Sequence, residues 1–213
     1  MDGGMNFLSK AMRTIAAAME KPVIVLLLFL VAVTVFMIGW LIAEFFTERR
    51  HLRAKLPALV DQLNTTDNKV QIDRCIESSE LLYRQKVALK ELVMHPDITP
   101  LMRESLAVRL LQEEQSFYDR RLKISDVIAK IGPMLGLLGT LIPLGPGIIA
   151  LGQGDTITLS SSLLTAFDTT IMGLIAAAVA IVISTIRSRW YANYMSVLET
   201  LMECILEVEK KHA

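Results

Sequence analysis

Five polar side chains lie inside apolar stretches of this 213-residue chain, where hydrocarbon surroundings tolerate few polar atoms. They are Thr34, Thr140, Asp168, Thr169 and Thr170. Counted inwards from the predicted outer ends of these stretches, at about 1.5 Å per residue, all five lie at depths of roughly 12 to 18 Å. Three separate segments therefore place polar groups in one layer near the middle of a bilayer. Such a layer is typical of an ion path.

Asp168 is the most costly of these side chains. A carboxylate at mid-bilayer costs about 3 kcal/mol on insertion scales, so it should face protein or water. A group that binds a proton or attracts an ion fits this position, and so does a hydrogen-bonded aspartate that ties helices together. Thr170 lies about 200° from Asp168 around a helix, on a face with Ala166 and Gly173 that suits close packing or a narrow lumen. If Thr170 faces a lumen, Asp168 points to another helix, where Thr34 is a candidate partner.

The other polar and small residues also allow two interpretations. Threonines in apolar helices often donate a hydrogen bond to a carbonyl of their own helix and do nothing else, and this applies to Thr140, Thr169 and Thr170. Glycines at helix-interface spacing let a neighbouring backbone approach closely. Prolines within a span predict a kink. Because a proline has no amide hydrogen, a backbone carbonyl loses its donor and needs a partner in a neighbouring helix or in a wet interior. The packing and kink positions are Gly136, Gly139, Pro143, Pro146 and Gly173.

The elements that carry these residues are helical. Each of three apolar blocks is long enough to cross about 30 Å of hydrocarbon. The first follows a short segment with an amphipathic stripe, which favours an interfacial helix over a cleaved signal peptide because the apolar run is too long and no small-residue cleavage site follows. The predicted segments are an N-terminal amphipathic helix (1–21), a first span (22–46), a cytoplasmic helical region (47–127), a second span (128–151), an extracytoplasmic turn (152–158), a third span (159–186) and a cytoplasmic C-terminal helix (187–213).

Charges near the ends of the spans predict the orientation. A basic cluster at 48–55 follows the first span, and Arg187 and Arg189 follow the third. Because basic residues stay on the cytoplasmic side, the N-terminus should lie outside and the C-terminus in the cytoplasm. Trp190 and Tyr191 are expected to be anchors at the membrane interface. The fold class is therefore an all-α integral membrane protein with three transmembrane helices and long cytoplasmic helical extensions.

The composition and motifs argue against several other classes of protein. The formal net charge is zero, so nothing predicts nucleic-acid binding. Cys75 and Cys204 lack the spacing of a metal or redox site and are expected to be ordinary reduced thiols. No glycine-rich nucleotide loop and no grouping of nucleophile and base is present in the sequence. We therefore expect neither an enzyme nor a bound metal or cofactor.

Two segments together resemble a known family. GPMLGLLGT in the second span and SSLLTAFDTTIMGLIAAAVAIVIS in the third resemble the MotA/TolQ/ExbB proton-channel family, in its TolQ/ExbB branch. The first segment matches much of the P-L-x-G-L-x-G-T-V core typical of the branch, and the second matches part of its E-A-L-x-x-T-A-x-G-L core. The matching residues are Pro133, Leu135, Gly136, Leu137, Gly139, Thr140, Ala166, Thr170, Gly173 and Leu174. The chain departs from the branch at Thr165, where a glutamate is usual, and at LIPLGPG after the first core, which marks it as atypical.

The resemblance implies a function. Members form a ring, expected to be a pentamer, around single-span helices of a partner dimer of the ExbD, TolR or MotB type. The ring and its partner conduct protons across the cytoplasmic (inner) membrane, and the proton-motive force drives an energy-transducing motor. By resemblance, Thr140 and Thr170 face the partner helix, with Asp168 and Thr169 as secondary candidates. Two other interpretations stay open: a structural membrane scaffold that conducts no ions, and a transporter that acts without a partner.

Overall fold

The computed structural model describes residues 2–48, 59–60, 69–79, 81–94 and 99–211. Within these residues the ordered elements are helices: α1 (Asp2–Glu48), α2 (Lys69–Ser78), α3 (Tyr83–Met94), α4 (Pro100–Gly152) and α5 (Thr156–Lys211). No strand occurs in these ranges. Three of the helices, α1, α4 and α5, are long and apolar enough to cross a membrane. The predicted all-α class with three apolar spans is confirmed.

The ends of α4 and the start of α5 follow local rules. α4 begins at Pro100, where a proline is tolerated because the first helical amide needs no partner, and the Arg103 amide donates to the Thr99 carbonyl at 3.0 Å. Gly154 turns the chain with a φ of 77°. Asp155 then caps α5, because its carboxylate accepts hydrogen bonds from the hydroxyl and the amide of Thr158. These bonds lower the pKa of Asp155.

The long helices continue through the borders predicted from the sequence. α1 runs without a break from the predicted amphipathic segment 1–21 through the span 22–46. α4 is one helix that includes Pro133, Pro143 and Pro146, and α5 includes both the third span and the segment 187–211. The borders of the spans within these helices, and a kink at Pro143 and Pro146, are predictions from the sequence.

The chain divides into two compact units. The first consists of Met1–Gly39 and Lys123–Ser184, and the second of Trp40–Leu122 and Thr185–Ala213. The first unit contains the apolar part of each long helix. Many of its large side chains, such as Leu28, Phe29 and Ile175, are exposed, as expected of helices that face lipid or other helices.

The second unit has a conventional hydrophobic core. α2, α3 and the end of α5 bury one stripe each, and these stripes agree with the predicted periodicity. The core includes Ile72, Ile76, Leu89, Leu92, Leu198, Leu201, Met202 and Ile205. The end of α5 is thus amphipathic over its described residues. The sequence also predicts breaks between helices at NTTDN (64–68) and HPDITP (95–100), and these lie wholly or mostly outside the described residues.

One charged residue of the second unit differs from expectation. Glu114 lies in a charged stretch for which the sequence predicts a solvated face, but it is buried and accepts two hydrogen bonds from Arg84, at 2.7 and 3.0 Å. The same guanidinium lies 3.8 Å from the centre of the Phe117 ring. A bidentate ion pair capped by an aromatic ring satisfies this buried carboxylate, which helical periodicity alone did not reveal.

Candidate functional site

The first unit contains a seam of close contact between α4 and α5, which we call the glycine seam. It is formed by Gly132, Gly136, Gly139 and Gly147 of α4 against Ser162, Thr169, Thr170, Gly173 and Ala177 of α5. A Cβ atom placed on Gly132 would lie 2.8 Å from the Gly173 carbonyl oxygen, and one on Gly139 would lie 2.6 Å from the Thr169 Cβ. Real Cβ atoms do not come so close to such neighbours. The glycines therefore let the two backbones approach each other.

Thr170 lies in this seam. Its hydroxyl donates to the Ala166 carbonyl at 3.2 Å on its own helix, and it lies 3.5 Å from the Gly136 carbonyl of α4. A Cβ on Gly136 would lie 3.3 Å from the Thr170 Cα. The sequence predicts either close packing or a narrow lumen for the face of α5 that carries Thr170, and close packing is present within the single chain. Thr170 nevertheless remains half-buried, so part of its side chain is open to a further neighbour.

The hydroxyl groups of Thr140 and Thr169 also donate hydrogen bonds to carbonyls of their own helices. Thr140 donates to the Leu137 carbonyl at 2.7 Å and is half-buried. Thr169 is buried and lies within reach of two carbonyls of its own helix, those of Ala166 at 2.9 Å and Thr165 at 3.0 Å. Each hydroxyl proton is thus used within the chain. The oxygen atoms keep lone pairs that can accept a hydrogen bond from another group.

Asp168 points away from the glycine seam. Its side chain is exposed in the single chain, in agreement with the opposite faces predicted for Asp168 and Thr170. The Thr34 hydroxyl donates to the Leu30 carbonyl at 2.8 Å, and Thr34 is buried. The suggested Thr34–Asp168 hydrogen bond is therefore wrong for the single chain. A threonine can always reach a carbonyl of its own helix, and this bond needs no second helix.

At one end of the glycine seam, α4 and α5 are joined by a polar contact. The Ser184 hydroxyl donates to an Asp126 carboxylate oxygen at 2.6 Å. As the numbers along α4 fall from Gly147 to Asp126, their partners on α5 rise from Ser162 to Ser184, so this contact continues the same antiparallel register. Asp126 itself is exposed. No motif in the sequence indicates this pair.

The second unit contains a buried charged site that the sequence analysis also missed. The Arg187 guanidinium contacts a Glu44 carboxylate oxygen at 3.0 Å through both Nε and a terminal nitrogen, and the Tyr191 hydroxyl donates to the other oxygen at 3.0 Å. All three residues are buried. The sequence predicts that Arg187 marks a cytoplasmic helix end and that Tyr191 is an anchor at the membrane interface. The ion pair and an aromatic cluster enclose both side chains, so Tyr191 is a buried residue of the second unit and not an exposed anchor.

The aromatic cluster consists of Tyr118, Tyr191 and Tyr194, and the ring centres of Tyr118 and Tyr191 are 4.6 Å apart. Burial, together with the negative charge of Glu44, raises the pKa of Tyr191 to about 12. The phenol is therefore neutral and donates a hydrogen bond to Glu44 at any physiological pH. We call Glu44, Arg187 and Tyr191 the Glu44 network.

Neither region brings together groups of the kind that hold a metal. Among the described residues, no three His, Cys, Asp or Glu side chains converge. The candidate chemistry is therefore that of hydroxyls and single carboxylates along the glycine seam. Such groups accept and pass protons, or hold helices together.

Comparison with known proteins identifies the family. The MotA/TolQ/ExbB proton channel family matches residues 81–200, which is more than half of the chain and includes the whole glycine seam. The chain belongs to this proton channel family. The resemblance predicted from GPMLGLLGT and the following threonine-containing segment is confirmed. This is a family of proton channels and not of enzymes. Three helices of the described chain are long and apolar enough to span a bilayer, so the chain is an inner-membrane protein.

A curated relative is similar over part of its length. The biopolymer transport protein exbB1 of Vibrio cholerae is 31% identical over 127 residues, which are 56% of this chain and 53% of that protein. The chain thus spans about half the length of this relative. The family match begins at residue 81, so it includes Thr140, Thr170 and Asp126 but neither Thr34 nor Glu44.

Proposed function

We propose that this chain is a ring-forming subunit of a motor complex that conducts protons and is driven by the proton-motive force. The ring would be a pentamer and would enclose the helices of a single-span partner dimer of the ExbD, TolR or MotB type. The observation that carries the proposal is the family match, which covers residues 81–200 and so includes both helices of the glycine seam. Proton flow through the ring would supply the work, at about 2.3 kcal/mol per charge for each 100 mV of membrane potential.

Thr140 and Thr170 are the proposed contacts to the partner helix, and their hydrogen bonds support a specific role. Each hydroxyl donates its proton to a carbonyl of its own helix, at 2.7 Å for Thr140 and 3.2 Å for Thr170. Each oxygen is therefore left as an acceptor. A protonated carboxyl group of the partner can donate to such an oxygen, whereas a carboxylate cannot. We call Thr140 and Thr170 the threonine layer. This layer would thus favour the protonated form of the partner's carboxyl group without placing a permanent charge in the membrane.

Asp168 and Thr169 have secondary roles in this proposal. Thr169 is buried against Gly139, so it would hold α4 and α5 at the spacing that the threonine layer needs. Asp168 lies on the face opposite Thr170 and is exposed in the single chain. In the ring it would face a neighbouring subunit, because a carboxylate in contact with lipid is costly.

The proposed orientation places the N-terminus outside and the C-terminus in the cytoplasm. It rests on the basic cluster at 48–55 and on Arg189, which is exposed. A cysteine introduced at exposed Gln153, in the turn between α4 and α5, should react with a membrane-impermeant thiol reagent added to intact spheroplasts. Reaction only after permeabilisation would reverse the orientation. Cys75 and Cys204 are partly buried and should stay unlabelled until the membrane is opened.

Proton flux tests the main proposal. The affinity-tagged chain is purified from its native membrane with the proteins that it retains, and is reconstituted into liposomes that contain a pH-sensitive dye. A potential set with potassium and valinomycin should drive proton uptake. Thr140→Val and Thr170→Val should each lower the flux about tenfold or more, because valine keeps the shape but removes the acceptor. Thr34→Val is the matched control and should conduct normally.

The other outcomes separate the rival functions. Flux from the chain stripped of all co-purified proteins would indicate a transporter that needs no partner. Absence of flux from the intact complex, with unchanged assembly in all three variants, would indicate a scaffold. Uptake of sodium under the same potential, read with a sodium-sensitive dye and without acidification of the liposome interior, would change the ion and keep the motor.

A further inference from the structure

The contact between Asp126 and Ser184 extends the glycine seam to a charged end. The Ser184 hydroxyl donates to one Asp126 oxygen at 2.6 Å, and the Asp126 side chain is exposed. Asp126 therefore combines a fixed position, held from the neighbouring helix, with a side chain that is open on the surface of the single chain, just before the predicted span 128–151. This pair has no role in the function proposed above.

Its place in the helical register links it to the threonine layer. Asp126 lies fourteen residues before Thr140 on α4, and Ser184 lies fourteen residues after Thr170 on α5. Fourteen residues are about 40° short of four full turns and span about 21 Å, so each residue of the pair lies close to the face of its threonine. The two helices thus present threonine at one level and the aspartate–serine pair at the other.

Between these two levels, the residues at the contact of α4 and α5 are small and uncharged. They are Gly132 and Gly136 on α4 and Gly173 and Ala177 on α5. On α4 the nearest charged residues to Asp126 are Lys123 and Lys130, about one turn away on either side and both exposed. On α5 the contacting residue, Ser184, is neutral, and residues 22–39 of α1 carry no charge. Asp126 is therefore the only acid among residues 123–140 of α4.

We propose that Asp126 is the proton acceptor at the cytoplasmic end of the proton path. This inference rests on the proposed channel function. A proton that leaves the threonine layer through lumen water is taken up by the Asp126 carboxylate, and the resulting carboxylic acid releases it to cytoplasmic water. Ser184 holds one carboxylate oxygen, which leaves the second oxygen to exchange the proton.

Three variants separate the acid from the mechanical contact. Asp126→Asn keeps an oxygen that accepts from Ser184 but removes the exchangeable carboxylate proton. Ser184→Ala removes the hydrogen bond and keeps the acid. Asp126→Glu restores an acid in place of the amide. Flux is measured in the reconstituted complex described above. The pH is varied from 5 to 8 on the side of the membrane where Asp126 and Ser184 lie, which is the proposed cytoplasmic side.

We expect Asp126→Asn to lower the flux about fivefold or more and to abolish most of its dependence on cytoplasmic pH. Ser184→Ala should lower the flux by less than Asp126→Asn does and should keep its dependence on cytoplasmic pH, because the acid remains. Asp126→Glu should recover most of the wild-type flux. Normal flux in Asp126→Asn, or equal losses in Asp126→Asn and Ser184→Ala, would overturn the inference. If Thr140→Val blocks conduction while Asp126→Asn does not, the channel function stands without this acceptor. If neither Thr140→Val nor Thr170→Val reduces the flux, the channel proposal itself fails.

Discussion

The glycine seam and the Glu44 network solve the same problem in opposite ways. Both place polar groups inside long, mostly apolar helices. In the seam, neutral hydroxyls donate to carbonyls of their own helix, and glycines remove side-chain volume so that α4 and α5 can touch. In the Glu44 network, a full charge pair is buried and is satisfied by an arginine and a tyrosine. The first arrangement costs little to form, whereas the second is costly unless every partner is present.

This difference suggests separate roles. A hydroxyl that is satisfied locally still accepts a hydrogen bond from a moving partner, so the seam suits a surface on which contacts form and break. A buried carboxylate that already accepts from Arg187 and Tyr191 has little capacity left for exchange. The Glu44 network therefore suits a fixed attachment between α1 and α5. Four predictions test the contrast, from the largest expected effect to the smallest.

Removal of Arg187 should have the largest effect. Arg187→Met leaves the Glu44 carboxylate buried without its cation, which typically costs about 3–5 kcal/mol. The melting temperature of the purified protein in detergent should fall markedly. The double variant with Glu44→Leu should recover much of the loss, because replacing both charges removes the desolvation cost. Arg109→Ala, from the exposed Arg109–Glu113 pair, is the control and should change little. An Arg187→Met protein as stable as this control would contradict a fixed charged attachment.

Addition of a methyl group to the glycine seam should come next. Gly132→Ala would bring a Cβ to 2.8 Å from the Gly173 backbone oxygen, so α4 and α5 must separate. Such overpacking typically costs about 1–3 kcal/mol. Gly145→Ala on the same helix meets no atom within 4 Å, so it should be neutral or stabilising by up to about 1 kcal/mol. Thermal unfolding of the two variants checks this, and similar values for both would show that the seam is not tightly packed.

Alkaline pH should weaken the Glu44 network by a smaller amount. The pKa of Tyr191 is raised from 10.0 to about 12, so the folded protein holds this proton more tightly than the unfolded chain. The resulting stability is fully present below about pH 10 and is lost as the pH rises towards 12. The loss should be about 1–2 kcal/mol after allowance for screening by water. Unfolding measured from pH 9 to 12 should show a shallower decline for Tyr191→Phe. Tyr83→Phe, at an exposed site, should follow the wild type.

Thr34→Val should have the smallest effect. The Thr34 hydroxyl donates to the Leu30 carbonyl of its own helix, and valine has nearly the same shape. The change in unfolding free energy should be within about 0.5 kcal/mol, because a helix carbonyl that loses this extra bond keeps its backbone partner. A loss of unfolding free energy comparable with that of Arg187→Met would indicate that Thr34 binds another group in the assembled complex. Asp168 would then again be a candidate for this partner.

Some features of the protein follow from the sequence alone because they depend on neighbours within a few residues. Apolar length predicts the three long helices, and this prediction is confirmed. Helical periodicity places Leu198, Leu201 and Ile205 on one face of α5, and this face is buried in the core of the second unit. Pro100 is a local signal for the start of α4, because the missing amide hydrogen of a proline costs nothing at the first helical residue. The glycine and threonine motifs indicate the family because their types and spacing are themselves sequence features.

Tertiary structure decided which residues meet across the chain. Glu44 and Arg187 are 143 positions apart, and each resembles an ordinary charged residue at a helix end until packing encloses both. Glu114 likewise belongs to a charged stretch, and only the position of Arg84 makes it a buried ion pair. Asp126 and Ser184 meet because the antiparallel register of the glycine seam brings them together. Periodicity assigns a residue to a face of its helix, but the partner of that face depends on how helices distant in the sequence pack, and packing is decided by the whole chain.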